Sequence, residues 1–396
     1  MKLPIYMDNH ATTPVDPRVL AAMLPYFQEH FGNASSHSHA FGWRAKQAVD
    51  EARQQVAALL SAKAQEIIFT SGATESNNLA LKGASEMYRD RGNHIITSVT
   101  EHKSVLDCCR RLEKSGFEIT YLPVDGFGCI SLESIRRAIT SRTILISIMA
   151  ANNEIGAIQP IAAIGEIARE NGILFHTDAA QTVGKIPLDV EKMGIDLLSF
   201  TGHKLYAPKG VGALFVRSEN PSVRLVPLLD GGGHEGGLRS GTLNVPGIVG
   251  LGEACRICLD EMPAESARLS ALRDKLQAGI FSALDAVTLN GYPANRLPHN
   301  LNITFDGLDA ESLMLSLSDI ALSTGSACRS AGHEASYVLK AIGLSDDLAH
   351  STLRFGLGRF TTEEEVNYVL GRVVEAVRQL RDLSPARVSA PVGKGF

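Results

Sequence analysis

The chain has 396 residues, of which 44% are hydrophobic and 20% charged, so it can bury a large core and is long enough for two domains. Its net charge of −5, from 43 acidic and 38 basic residues, argues against electrostatic binding to nucleic acid or to an anionic membrane surface. The sequence shows no targeting pattern and no apolar run that could span a membrane, so a cytoplasmic location is expected.

The first part of the chain alternates between helical and extended patterns. Helices are predicted at residues 17–29 and at 43–60, where apolar residues recur at spacings of three and four. The following strands are predicted at 66–70, 94–99, 118–124, 143–149, 173–176, 195–200 and 211–216, and helices at 73–89, 104–114, 132–139 and 161–170. This alternation indicates an α/β fold with a mostly parallel sheet between helices.

A glycine-rich loop at residues 231–242 interrupts the alternation and leads towards a second, smaller domain. A long amphipathic helix is predicted next, at 245–276, with a kink near Pro263. The remaining predicted elements are strands at 300–305 and 352–356, helices at 310–317, 336–342 and 363–383, and a loop at 321–334. The tail from Ser384 is rich in proline, alanine, serine and glycine and is expected to fray.

Six cysteines are irregularly spaced, which is not the pattern of a disulfide framework, and most are expected to be reduced. Cys108 and Cys109 fall in a predicted helix and are interpreted as core residues. Cys255 and Cys258 form a lone CxxC pair, without the further cysteines or histidines of a zinc site, so packing is favoured over metal or redox chemistry.

Cys328 differs from the other cysteines because it lies in a run of small residues between two predicted helices. Such a loop would expose the thiol, and the neighbouring Arg329 would favour its reactive thiolate form. On these residues alone, a nucleophilic thiol and one without a function are equally open.

A lysine and an aspartate follow two apolar strands. Lys204 follows the strand at 195–200, where partial desolvation would let its amine form a Schiff base with an aldehyde such as that of pyridoxal phosphate. Asp178 ends an earlier apolar segment, and its carboxylate could pair with the protonated ring nitrogen of that cofactor. A surface lysine in a polar loop is the alternative for Lys204 alone, but the combination with Asp178 favours the cofactor.

Three other residues suggest a phosphate site. Thr74 stands where a strand ends and a helix begins, so its hydroxyl and the adjacent backbone N–H groups could bind a phosphate, or could simply cap the helix. Thr201 and His203, close to Lys204, could add phosphate contacts.

Further polar side chains follow other strands. His102 could stack on a cofactor ring, act as an acid or base, or be structural. Asn153 could bind a substrate carboxylate or the phenolic oxygen of the cofactor, and Gln181 is a second candidate for that oxygen. Because open α/β sheets bind ligands at the carboxyl ends of their strands, all these groups are expected to meet.

Eight motifs, considered together, resemble those of the cysteine desulfurases, pyridoxal-phosphate enzymes that take sulfur from L-cysteine for iron–sulfur cluster assembly. The likeness runs from about Tyr6 to Pro385, and the residues around Cys328 are similar to those of the group I branch, which has a long catalytic loop. The motifs are Asn9-His-Ala-Thr-Thr-Pro14, Ser71-Gly-Ala-Thr-Glu-Ser76, Thr100-Glu-His-Lys103, Asn152-Asn-Glu-Ile-Gly156, Gly202-His-Lys204, Arg239-Ser-Gly-Thr242, Ser326-Ala-Cys328 and Arg354-Phe-Gly-Leu-Gly-Arg359.

The resemblance implies a fold-type-I, aminotransferase-like homodimer. A large cofactor-binding domain would comprise residues 16–260, a small domain with the catalytic cysteine loop residues 1–15 and 261–385, and a flexible tail residues 386–396. The implied cofactor contacts are Lys204 to the aldehyde, Asp178 to the ring nitrogen, Gln181 to the phenolic oxygen, His102 on the ring, Ala73, Thr74, Thr201 and His203 to the phosphate, and Thr242 from the partner subunit.

The implied reaction converts L-cysteine to L-alanine. Asn153 and Arg354 would bind the substrate carboxylate, Lys204 would remove the Cα proton, and the Cys328 thiolate would attack the substrate sulfur. The resulting persulfide on Cys328 would pass to an iron–sulfur scaffold or another acceptor protein.

The chain departs from the family pattern at several positions. Arg329 stands where relatives commonly carry threonine, Ala335 replaces a usual proline, and Gly236 occupies a commonly basic position. The tail after Pro385 does not resemble the ending by which housekeeping members bind their scaffold. A selenocysteine lyase or another class V aminotransferase-like enzyme is an alternative, as is a non-catalytic sulfur carrier or binding partner.

Overall fold

The computed structural model describes residues 2–324 and 335–383. Within these ranges the strands, in chain order, are β1 (Ile5–Tyr6), β2 (Ile67–Thr70), β3 (His94–Ser98), β4 (Glu118–Leu122), β5 (Thr143–Ser147), β6 (Leu174–Asp178), β7 (Leu197–Thr201), β8 (Gly212–Val216), β9 (Val287–Leu289), β10 (Asn300–Phe305), β11 (Ile320–Ala321) and β12 (Thr352–Gly356). The helices are α1 (Pro17–Met23), α2 (Pro25–Gln28), α3 (Ala40–Leu60), α4 (Ala73–Met87), α5 (Lys103–Glu113), α6 (Leu132–Ala138), α7 (Ile161–Glu170), α8 (Val245–Ala283), α9 (Ala310–Ser316), α10 (Tyr337–Ala341), α11 (Asp346–His350) and α12 (Glu363–Leu383).

The central sheet has seven strands in the order β2-β8-β7-β6-β5-β3-β4. Strand β8 is antiparallel to both neighbours, β2 and β7, and the other pairs are parallel. The connection from β7 to β8, residues 202–211, is too short for the helical crossover that a parallel neighbour requires. Six strands therefore end at one edge of the sheet, and the predicted mostly parallel α/β fold is confirmed.

Helices cover both faces of this sheet. Neighbouring residues on a strand point to opposite faces, so Ile96 packs in a core with side chains of α3, α7 and α8, while Ile95 packs with side chains of α4 and α5. Burial on both faces explains why β3, β5, β6 and β7 are buried at every residue, without alternation of buried and exposed positions.

A second core combines the two ends of the described chain. Ile5 and Met7 pack with buried side chains of α8, α9, α12, β10 and β12. Strands β12, β10 and β9 form a three-stranded antiparallel sheet, and β1 pairs in parallel with β11. This core corresponds to the predicted small domain, and the domain boundaries given above stay predictions.

Some predicted elements need correction. The predicted helix at 17–29 is two helices, because Pro25 cannot continue α1 and begins α2 instead. Helix α8 runs for 39 residues to Ala283, beyond the predicted end at 276. Strands β1, β9 and β11 and helix α11 were missed because two to five residues are too few to show a period.

Five cysteines lie in the described ranges. Cys108, Cys109, Cys255 and Cys258 are buried free thiols, and Cys129 is a half-buried free thiol. No helix in residues 2–324 or 335–383 is both long and apolar enough to cross a bilayer.

Candidate active site

A cavity of about 400 Å³ lies at the edge of the large sheet where its parallel strands end. The predicted site residues that line it are Ala73, Thr74, His102, Asn153, Asp178, Gln181, Thr201, His203, Lys204 and Arg354. Arg354 comes from β12 of the small sheet, so the cavity lies between the two cores. The structure brings these residues together, and the individual roles suggested for them stay predictions.

One predicted site residue in the described ranges does not line this cavity, and another lies outside those ranges. Thr242 is exposed outside it, and its predicted role concerns the cavity of a partner subunit. Cys328 lies outside the described residues, as does Arg329 beside it.

The start of α4 provides an anion site at one end of the cavity. The helix begins at Ala73, three residues after β2 ends at Thr70, and no side chain in the described part of the chain caps its first backbone N–H groups. Glu75, in the first turn, instead accepts a 2.8 Å hydrogen bond from the backbone N–H of Ser71 and one of 2.8 Å from Arg239 Nε. Uncapped N–H groups and the helix dipole both favour a phosphate here.

His203 is a neutral residue that lines the same cavity. Its Nδ1 lies 3.1 Å from the hydroxyl oxygen of Thr12. Burial lowers the pKa of His203 to about 4, and the positive charges of Lys204 and Lys209 act in the same direction. At neutral pH the ring is therefore uncharged, so the phosphate contact predicted for His203 would be a hydrogen bond and not an ion pair.

Asp178 also lines the cavity and is held by two hydrogen bonds. Its Oδ2 accepts one of 2.7 Å from Asn77 Nδ2, and its Oδ1 accepts one of 2.9 Å from the backbone N–H of Ala180. Both bonds fix the orientation of the Asp178 carboxyl group in the cavity wall. No role was predicted for Asn77, although an amide in the first turns of the helix that contains Thr74 was a usable signal.

His102 caps helix α5 and also lines the cavity. Its Nδ1 accepts hydrogen bonds from Ser104, of 3.2 Å from the backbone N–H and 2.8 Å from the hydroxyl, and it thereby caps α5. Nδ1 is therefore unprotonated, and Nε2 carries the proton. Burial lowers the pKa of His102, opposed by the charge of Asp178 and aided by that of Lys204, so the ring is neutral at pH 7.

Arg354 is buried beneath the cavity and held by two neighbours. Its Nη2 donates a 2.8 Å hydrogen bond to Asp8 Oδ1, and its Nη1 donates one of 2.8 Å to the backbone oxygen of Asn153. In the described part of the chain, the buried atoms Arg354 Nε and Asn153 Oδ1 have no hydrogen-bond partner. Orphaned buried polar atoms on two adjacent residues are typical of a site that binds a polar ligand.

These groups fit pyridoxal phosphate. The cavity holds a lysine amine, a carboxylate fixed for a ring nitrogen, an uncapped helix start for a phosphate and a neutral imidazole at its wall. Arg354 adds a cation suited to the carboxylate of an amino acid.

The whole chain is similar to proteins of known family. The sequence profile described as Aminotransferase class-V matches residues 5–369. A protein named cysteine desulfurase IscS from Anaeromyxobacter sp. (strain Fw109-5) is 58% identical over 385 residues, covering 97% of this chain and 95% of that protein. Another of that name, from Rickettsia bellii (strain OSU 85-389), is 54% identical over 383 residues, covering 97% and 93%.

Two solved structures show the same similarity. One titled NifS-like protein has a TM-score of 0.88 and 38% identity, covering 95% of this chain and 99% of that one. One titled SspA in complex with cysteine has a TM-score of 0.80 and 41% identity, covering 90% of this chain and 100% of that one.

Proposed function

Because this chain belongs to the class V aminotransferase family and, within it, to the cysteine desulfurases, we propose that its cavity takes sulfur from L-cysteine for iron–sulfur cluster assembly and releases L-alanine. The enzyme depends on pyridoxal phosphate. The observation that carries the proposal is the meeting of Lys204, Asp178, the uncapped start of α4 and Arg354 around one cavity.

Each wall of the cavity would hold one part of the cofactor. Bound pyridoxal phosphate supplies an electron sink that stabilises negative charge at the Cα of an attached amino acid. The proposed contacts are Lys204 with the aldehyde carbon, Asp178 with the ring nitrogen, Gln181 with the phenolic oxygen, His102 with the ring face, and Ala73, Thr74, Thr201 and His203 with the phosphate.

Arg354 would bind the carboxylate of L-cysteine together with Asn153. Among the described residues, two of the five N–H donors of Arg354 are used, by Asp8 and by the Asn153 backbone oxygen. Three donors are left for a two-pronged contact with the substrate. Asp8 keeps the guanidinium oriented, because it fixes one Nη group from the side of the small domain.

Lys204 and Cys328 would carry out the chemistry. Lys204 Nζ accepts the Cα proton of the substrate. The Cys328 thiolate then forms a bond to the substrate sulfur while the bond between that sulfur and carbon breaks, and the electron pair returns to the carbon fragment. Protonation of this fragment yields L-alanine, and the sulfur stays on Cys328 as a persulfide until an acceptor protein takes it.

The test is the release of L-alanine from L-cysteine, in the presence of a thiol reductant, by the wild type and by Cys328→Ala. Alanine formation by the wild type and its near loss in the variant support the proposal. Cys129→Ala, which removes a half-buried thiol, is the matched control and should retain activity. Equal activity of wild type and Cys328→Ala would favour a lyase that needs no cysteine nucleophile, and no alanine from either would show that the substrate is wrong.

We propose that the enzyme is a homodimer. Four aromatic residues have large exposed fractions: Phe27 (58%), Phe31 (66%), Phe41 (52%) and Trp43 (59%). We call these four residues the aromatic patch. The rings of Phe31 and Phe41 lie 5.4 Å apart, so these two side chains form one apolar surface that is suited to burial in a subunit interface. The exposed Thr242 would then be available to the partner's cavity.

Sedimentation of the holoenzyme tests the dimer. The wild type should sediment as a dimer, and Phe31→Lys combined with Trp43→Lys should shift it towards a monomer. Leu315→Lys, which replaces an apolar side chain that is 79% exposed elsewhere, is the control and should leave the dimer intact. A monomeric wild type would contradict the proposal.

A further inference from the structure

Four buried polar side chains form a continuous chain of hydrogen bonds that ends at the cavity. They are Arg296, Asn300, His10 and Gln181, with exposed fractions of 4%, 0%, 1% and 5%. The bonds are 2.9 Å from Arg296 Nη2 to Asn300 Oδ1, 3.1 Å between Asn300 Nδ2 and His10 Nε2, and 3.0 Å between His10 Nδ1 and Gln181 Oε1. We name this set the Gln181 relay.

We propose that the Gln181 relay is a positioning device that makes Gln181 present an N–H donor to the cavity instead of its carbonyl oxygen. His10, Asn300 and Arg296 would thus be positioning residues for the desulfurase reaction, acting through Gln181. The inference rests on the proposed contact of Gln181 with the phenolic oxygen of pyridoxal phosphate.

The direction of the relay is set at its far end. A guanidinium can only donate, so the atom of Asn300 that faces Arg296 must be the oxygen. The amide nitrogen of Asn300 also donates a 3.1 Å hydrogen bond to the backbone oxygen of Glu154, which can only accept. The Asn300 amide is therefore fixed on both sides, and its second N–H points to His10.

His10 transmits this direction to Gln181. Since Nε2 of His10 accepts from Asn300, the ring proton is on Nδ1 and is donated to Gln181 Oε1. Gln181 Nε2 donates a 3.1 Å hydrogen bond to the backbone oxygen of His10. In a flipped Gln181 amide, Oε1 would face the backbone oxygen of His10, and Nε2 would face the Nδ1–H of His10, so neither hydrogen bond could form. The unflipped amide leaves one N–H of Gln181 Nε2 for the cavity that this residue lines.

Packing keeps the relay in place. The ring of His10 stacks on that of His299 with centroids 4.3 Å apart and an interplanar angle of 27°. Gly156, at φ 72°, lets Asn300 approach closely, because a Cβ at this position would lie 2.5 Å from Asn300 Oδ1. Burial holds the pKa of His10 well below its ordinary value, so the ring keeps the acceptor nitrogen that the relay needs.

The relay matters because the phenolic oxygen of the cofactor is an acceptor that carries negative charge. An N–H beside it makes a charge-assisted hydrogen bond, whereas a carbonyl oxygen would repel it. Reversing the relay without removing Gln181 should therefore weaken cofactor binding and change the light absorption of the bound cofactor.

Asn300→Asp is the sharpest variant, because it replaces the N–H donor by a second acceptor of nearly the same size. His10 would then place its proton on Nε2 to pair with the new carboxylate, and its Nδ1 lone pair would face Gln181 Oε1. His10→Phe is a second variant that keeps a ring to stack on His299 but breaks the relay. Asn367→Asp, at an exposed position of α12, is the matched control.

The measurements are the dissociation constant of pyridoxal phosphate from each apoprotein and the visible spectrum of the bound cofactor, with circular dichroism to verify folding. Asn300→Asp and His10→Phe should raise the dissociation constant by about tenfold, the effect of losing roughly one hydrogen bond, and shift the spectrum. Asn367→Asp should match the wild type.

In a Gln181→Ala background, Asn300→Asp should have no further effect, which a merely structural role would not predict. If Asn300→Asp does not fold, His10→Phe decides by whether it has a further effect in the Gln181→Ala background, because His10 also lines the cavity.

The inference is overturned if folded relay variants bind and absorb like the wild type while Gln181→Ala does not. It is also overturned if Asn300→Asp is equally harmful with and without Gln181. Should Gln181→Ala itself leave affinity and spectrum unchanged, the proposed cofactor contact of Gln181 fails, and the relay fails with it.

Discussion

Asn77 donates a 2.7 Å hydrogen bond to Asp178 Oδ2 and, through the same amide nitrogen, one of 2.8 Å to Ser104 Oγ. Ser104 in turn bonds to His102, so a single amide on α4 links the carboxylate at the end of β6 to the imidazole at the start of α5. Asn77 Oδ1 is buried without a hydrogen-bond partner in the described residues. The amide nevertheless keeps this orientation, because a flip would place an oxygen against the Asp178 carboxylate.

Asn77→Ala should therefore weaken pyridoxal phosphate binding. Loss of a hydrogen bond to a charged group costs about 1.5–3 kcal/mol, which corresponds to a rise in dissociation constant of about 10- to 150-fold. Titration of the apoprotein with pyridoxal phosphate measures this. Asn93→Ala, which removes a 3.0 Å hydrogen bond to the Gly116 backbone oxygen at the opposite edge of the sheet, is the control. Equal affinities of both variants would disprove the role of Asn77.

Arg354→Lys should impair substrate binding more than turnover. An ammonium cannot bond to Asp8, the Asn153 backbone oxygen and a substrate carboxylate in the planar arrangement of a guanidinium. KM for L-cysteine should rise by about tenfold or more, with a smaller change in kcat, since the lost contact is made before the chemical step. Asp8→Asn should produce a weaker change in the same direction.

Arg372→Lys is the control for this prediction, because Arg372 makes a partly exposed ion pair with Asp319 outside the cavity. Its steady-state kinetics should match the wild type. A fall in kcat of Arg354→Lys with an unchanged KM would assign Arg354 to the chemical step instead of substrate binding.

Gly72→Ala should destabilise the protein and loosen the phosphate end of the cavity. Gly72 has φ 152°, a conformation that side chains rarely adopt, and its added Cβ would lie 3.3 Å from Thr201 Oγ1. Such backbone strain costs about 1–3 kcal/mol, visible in denaturant unfolding of the apoprotein. Gly371→Ala is a control for which the opposite effect is expected. Gly371 is exposed within α12 with open space around it, so alanine should stabilise the folded protein by about 0.5–1 kcal/mol. If both changes had the same sign, strain at Gly72 would be refuted.

The apoprotein should lose stability as the pH falls from about 6.5 to about 4. Burial lowers the pKa of His176 from 6.5 to about 4, so within this window the unfolded chain binds a proton that the folded protein does not. In this pH window, His176→Gln should reduce the slope of the free energy of unfolding against pH by the equivalent of about one bound proton. His350→Gln, at an exposed position, should leave it unchanged. An unaltered slope in His176→Gln would contradict the low pKa.

Local sequence patterns were sufficient for the parallel sheet and for much of the cavity. Lys204 and Asp178 could be assigned together because each follows an apolar strand, and parallel strands end at the same edge. The reversed strand β8 was not recognised, because an apolar run of five residues carries no information on direction. The break between α1 and α2 was missed although Pro25 was visible, since a helical pattern continues on both sides of it.

The sequence by itself determined the fold class, the residues at the strand ends and the family, because hydrophobic periodicity and motif chemistry are local properties. Only the tertiary structure decided which side chains support those residues. Asp8 bonds to Arg354 across 346 positions, His10 to Gln181 across 171 and Asn77 to Asp178 across 101. Each of these bonds requires a distance near 3 Å and a particular direction between groups remote in sequence, and these are fixed only when the two cores pack around the cavity.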